Sequence, residues 1–106
     1  MNTKKYTVIV LPKFRNEFEI ICKKKFTYSD KNEVNNKLIR QIIPKLQLLE
    51  YMPKIYSKIE KSDELKRTYR KMIFKQYIIF YTIDESKKEV YISHIFYKKS
   101  NYFNKL

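Results

Sequence analysis

The chain has 106 residues, no glycine, one cysteine and one histidine, and sets 24 lysines and arginines against 11 aspartates and glutamates, a formal charge of +13. Without glycine there is no Walker A loop and no dinucleotide fingerprint, both of which need it where backbone meets phosphate; one cysteine with one histidine excludes an internal disulfide and a zinc finger. With 43 % apolar residues, the length suits one modest core, so residues 1–106 are read as a single domain whose charge suits a polyanionic or acidic partner.

Tyr6-Thr-Val-Ile-Val-Leu11 is β-branched and reads as a strand, stopped by Pro12, a residue suited to the start of a helix. From Lys13 the period changes. Phe14, Phe18, Ile21 and Cys22 recur at helical spacing and Phe26 continues the stripe, while Lys13, Arg15, Glu17 and Glu19 mostly take other faces. Cys22 reads as a small buried hydrophobe. Ser29-Asp30 with Glu33 resembles a capping box and opens a second helix, Lys31 to Glu50, striped by Val34, Leu38, Ile42, Leu46 and Leu49. Pro44 removes the bond to the Arg40 carbonyl and predicts a kink. Lys54 to Arg67 is a charged connection with a helical turn expected around Ser62 to Leu65.

Three strands are predicted next: Tyr69 to Phe74, Tyr77 to Asp84 and Val90 to Tyr97. Lys75-Gln76 is the tight turn between the first two, where a lysine must take the place usually given to glycine. Asp84 to Glu89 is a polar hairpin loop. The order is β-α-α-β-β-β, an α+β arrangement of an N-terminal strand, a helical hairpin and a three-strand antiparallel meander, with the first strand able to join the sheet. Tyr77, Ile79, Tyr81 and Ile83 alternate with Ile78, Phe80 and Thr82, so both faces of this strand are apolar. One face suits the helices. The other needs a second cover, either the segment Asn101 to Leu106 or a bound partner helix. No apolar run reaches membrane-spanning length, and the stretch before Pro12 is too short for a signal peptide, so a cytoplasmic location is expected.

The block Tyr69-Arg-Lys-Met-Ile-Phe-Lys-Gln-Tyr-Ile-Ile-Phe-Tyr-Thr-Ile-Asp84, followed by Val90-Tyr-Ile-Ser-His-Ile-Phe-Tyr-Lys-Lys-Ser-Asn-Tyr102, resembles the RelE/ParE superfamily of type II toxin–antitoxin toxins. So do the Tyr6-Thr-Val strand, the helical hairpin and the Leu49-Glu-Tyr-Met-Pro53 helix end. The resemblance implies a small toxin neutralised by an acidic antitoxin from the same operon. It implies one of two activities: ribosome-dependent mRNA cleavage, as in the RelE-like branch, or inhibition of DNA gyrase, as in the ParE-like branch. The first is the leading expectation, the second its alternative, and a basic binding module without catalysis the third. None implies a metal or cofactor.

Metal-free cleavage by a ribose 2′-hydroxyl needs a base, a cation for the phosphorane and an acid for the leaving oxygen. The resemblance points to Arg70 and Lys71 as phosphate-holding cations, and to Lys99 and Tyr102 as a cation and a terminal aromatic hydroxyl. His94, the only side chain with an ordinary titration near neutrality, is the acid/base candidate. Each has a structural alternative: solvated cations for Arg70, Lys71 and Lys99, a packed strand histidine for His94, and tail packing for Tyr102. Where RelE-like toxins often carry His-Gly-Arg-Arg-Asp-Tyr, this chain reads Tyr97-Lys98-Lys99-Ser100-Asn101-Tyr102, and Ile78 stands where RelE-like nucleases commonly have an arginine.

Overall fold

Thr7–Val10 forms β1, and Pro12 turns the chain directly into helix α1, Pro12–Lys25, whose first hydrogen bond runs from the Arg15 amide to the Leu11 carbonyl. The structure, a computed structural model, describes residues 5–25, 31–59, 67–100 and 106, with side chains over 5–21, 38–59, 67–100 and 106. Helix α2, Lys31–Leu48, is followed by strands β2, Arg70–Phe74, β3, Tyr77–Asp84, and β4, Glu89–Tyr97. This is the expected β-α-α-β-β-β order. The Asp30–Glu33 capping box, the side chain of Cys22, Phe26, the turn near Ser62 and Tyr102 lie outside the described residues.

The four strands form one sheet in the order β1-β4-β3-β2. The meander is antiparallel, whereas β1 runs parallel to β4, pairing Thr7 with Glu89 through Val10 with Ile92. A parallel partner needs a long connection, and here it comprises both helices, β2 and β3. Helix α2 continues through Pro44 and ends at Leu48, two residues before the sequence suggested. Its last turn tightens, with amides of Leu49 and Glu50 donating to carbonyls of Leu46 and Gln47.

Both hairpin loops manage without glycine. Lys75 takes a left-handed φ of 54° between the paired Phe74 and Tyr77, as expected of a misfit lysine there. In the second loop Asp84 and Glu89 still pair, so the loop is shorter than predicted. Asp84 Oδ1 accepts from Ser86 Oγ at 2.7 Å and from the Lys87 amide at 3.1 Å, which holds the carboxyl below its ordinary titration range. Lys88 then turns the chain at a φ of 55°.

The sheet buries both faces. On the helix side, Phe14, Ile21, Leu38, Ile42 and Leu49 pack on Met72, Phe74, Tyr77, Ile79, Tyr81, Val90, Ile92 and Ile95. On the far side, Ile78, Phe80 and Phe96 form a smaller cluster with Ile59 and Tyr69, against which Leu106 packs. The segment 57–59 also borders the β2 edge: the Ile59 amide donates to the Tyr69 carbonyl and the Lys71 amide to the Ser57 carbonyl. It thereby shields part of an edge open to foreign pairing.

A bulge in β4 decides which side chains face which way. Phe80 pairs with His94 but Tyr81 pairs with Ile92, leaving Ser93 as the extra residue. Its hydroxyl donates to the Phe80 carbonyl at 3.1 Å. Simple alternation would put Ile92 and His94 on one face. The bulge sends Ile92 to the helix side and His94 to the far side, beside Phe80 and Phe96.

Candidate functional site

The five residues singled out from the sequence do not form one site among the described residues. Lys71 and His94 share a cross-strand row on the far face, each in register with Phe80 between them. That intervening strand keeps their backbones roughly 9–10 Å apart. Arg70, one residue earlier, faces the helix side with Tyr81. Its Nη1 donates to the Tyr56 carbonyl at 2.7 Å and more weakly to that of Lys54 at 3.5 Å. Lys99 is exposed in the turn after β4, and Tyr102 is outside the described residues.

His94 is only 3 % exposed. Its ring stacks on Phe96 at 5.2 Å and meets the edge of Tyr69 at 6.0 Å. Nδ1 lies 3.2 Å from Oε2 of Glu17, on α1, and the other carboxylate oxygen accepts the Ile95 amide at 3.1 Å. β1 covers β4 only as far as Ile92, so Glu17 serves the strand's backbone where the parallel ladder has ended. The sequence reading grouped Glu17 with the residues on the other faces of α1 and gave it no role in the site; the structure turns it toward β4. The available signal was its place three residues after Phe14 and four before Ile21, which puts a carboxylate within the buried stripe rather than opposite it.

A second set of interactions converges on the turn after α2. The Tyr81 hydroxyl donates to the Pro53 carbonyl at 2.7 Å, and burial pushes that hydroxyl's pKa up to about 12. Beside it, Glu85 accepts the Tyr6 hydroxyl at 2.6 Å and pairs with Lys54 at 3.0 Å and Lys88 at 3.6 Å. The hydrogen bonds from Tyr6 and Lys54 hold the Glu85 carboxyl down to about 2. Lys54, Lys58, Thr68, Arg70, Ile83 and Glu85 line a shallow hollow of about 290 Å³. Its cations give the surface an anion-attracting rim, but Arg70 and Lys54 already have internal partners.

The arrangement therefore offers a cationic rim, a buried histidine paired with a half-buried glutamate, and an apolar far face. It does not bring a base, a phosphate-holding cation and an acid to one point among the described residues. Among those residues no group of three His, Cys, Asp or Glu side chains is placed to hold a metal ion, and no helix is long and apolar enough to cross a membrane.

The family of the ParE toxin of the type II toxin–antitoxin system parDE matches residues 8–102. No curated protein matches the chain. Among solved structures, the toxin–antitoxin complex RelBE2 from Mycobacterium tuberculosis contains a similar chain. The TM-score is 0.56 at 12 % identity, over 93 % of this chain and 98 % of that one. At that identity the likeness speaks for the fold, the same strand, helix pair and meander. The sequence match, spanning nearly every element described above, shows more: the chain belongs to the ParE toxin family of the RelE/ParE superfamily, and is the toxin of a type II toxin–antitoxin system.

Proposed function

We propose that this toxin arrests growth by binding DNA gyrase and blocking its reaction, with no bond-breaking chemistry of its own, and that an acidic antitoxin encoded beside it neutralises it in the cytoplasm. The observation that carries this reading is the far face of the sheet. Ile78, Phe80 and Phe96 are buried there beneath Tyr69, Ile59 and Leu106, and His94 is enclosed among the same rings with Nδ1 engaged by Glu17. A general base has to reach the proton it removes. His94 is closed off from solvent, and Arg70 works on the opposite face as a tether for the 54–56 backbone. The formal charge of +13 speeds encounter with an acidic partner under either reading.

Ribosome-dependent mRNA cleavage is the second reading, and the Lys71–His94 row on one face favours it. Two assays separate them. In a supercoiling assay with relaxed plasmid, ATP and purified gyrase, the toxin is expected to suppress supercoiling, and added antitoxin to restore it. In a purified translation system it is expected to leave the mRNA intact. Cleaved mRNA with undisturbed supercoiling would reverse the assignment.

A further inference from the structure

Between Leu48 and Ile55 the chain exposes four large apolar side chains, Leu48, Tyr51, Met52 and Ile55, from 37 % at Leu48 to 56 % at Tyr51. Exposed apolar residues on a loose loop need no special account. This turn is not loose. Pro53 is buried and its carbonyl takes the Tyr81 hydroxyl, from a residue with no exposed surface. Arg70 holds the Tyr56 carbonyl, Lys54 pairs with Glu85, and the Tyr6 amide donates to the Glu50 carbonyl at 2.7 Å. Residues of β2 and β3, with Tyr6 just before β1 and Glu85 just after β3, thus hold a turn whose Leu48, Tyr51, Met52 and Ile55 side chains are exposed.

Apolar anchors on a pre-ordered backbone lose little entropy on binding, which is what distinguishes an effective docking surface from a merely greasy one. The charges around the turn indicate its partner. Lys5, Lys54, Lys58 and Lys88 lie in or around the turn against two carboxylates, Glu50, paired with Lys5 at 3.1 Å, and Glu85, shared by Lys54 and Lys88, so ion pairing still leaves the surface with an excess of positive charge. We propose that the 48–55 turn is the surface by which the toxin docks on its target protein, seating Tyr51, Met52 and Ile55 in an apolar pocket with an acidic rim. This rests on the binding reading above and names the part of the molecule that performs it.

The test uses the full-length toxin carrying Met52→Ser and Ile55→Ser together, with Tyr51→Ser as an independent second variant. All three positions are exposed, so the melting temperature is expected to stay near that of the parent. Growth arrest is expected to be lost, binding to purified gyrase to weaken at least tenfold, and capture by the antitoxin to persist. Unchanged growth arrest by folded variants would overturn the proposal. So would loss of antitoxin capture with arrest intact, which would make the antitoxin the occupant of the turn. If the parent arrests growth without affecting gyrase, the target named above is wrong, and the arrest measurement still judges the turn.

Discussion

Glu17 and His94, 77 positions apart in the chain, meet at 3.2 Å, and the same carboxylate takes the Ile95 amide. One side chain of α1 thus satisfies both a ring nitrogen and a backbone donor where β1 no longer pairs with β4. Glu17→Ala would leave both groups without their acceptor, a loss of about 2–3 kcal/mol. Glu17→Gln keeps only one of the two acceptor oxygens, so it is expected to lose about one hydrogen bond, roughly 0.5–1.5 kcal/mol, and less than Glu17→Ala. Urea denaturation of the two variants checks the order; equal losses would show that the one remaining acceptor contributes nothing to the joint.

The same contact bears on activity. His94→Gln preserves a hydrogen-bonding side chain of similar size but cannot shuttle a proton near neutrality. It is expected to arrest growth as the parent does once expression is matched, while lowering stability by about 1 kcal/mol. Loss of arrest in a stably folded His94→Gln protein would favour the nuclease reading.

Tyr81 links the core to alkaline stability. Burial raises its hydroxyl from 10.0 to about 12, so the folded state holds the phenolic proton more tightly than the unfolded chain. The resulting stabilisation is complete below pH 10 and is lost as pH rises through 12. Two pH units correspond to roughly 2.7 kcal/mol. The stability gap between the parent and Tyr81→Phe is expected to narrow across this window in denaturation curves taken at successive pH values. A gap independent of pH would mean that the hydroxyl matters only through packing.

Lys75 occupies a left-handed backbone conformation at the β2–β3 turn. A non-glycine residue there costs roughly 1–2 kcal/mol, part of which glycine returns through its greater unfolded-state freedom. Lys75→Gly is expected to raise stability by about 0.5–1 kcal/mol in thermal melts. A lower melting temperature would show that the Lys75 ammonium over the Phe74 ring, 5.7 Å from its centroid, outweighs the backbone strain.

The element order was legible because it depends on local periodicity. The Phe14–Phe18–Ile21 spacing, the Leu38–Ile42–Leu49 stripe and the alternation from Tyr77 to Asp84 each mark an element within one short window, and Tyr77–Asp84 matches its predicted bounds residue for residue. The family was legible for the same reason, through a contiguous block around that strand. The two-faced burial of β3 was also readable from alternation alone. Orientation within the candidate site was not. Ile92 and His94 have the same parity, and only the bulge at Ser93, a product of pairing with β3, turns them to opposite faces. Arg70 and Lys71 are adjacent cations in the sequence, but the pleat sends one to the 54–56 carbonyls and the other to the far face. Spacing places Glu17 within the stripe of α1, but its partners are set only where β1 stops short at Val10 and leaves the Ile95 amide to be satisfied. Periodicity is written into neighbouring residues, whereas the partner of a buried polar group depends on which distant strand ends beside it, and that was decided only when the sheet closed.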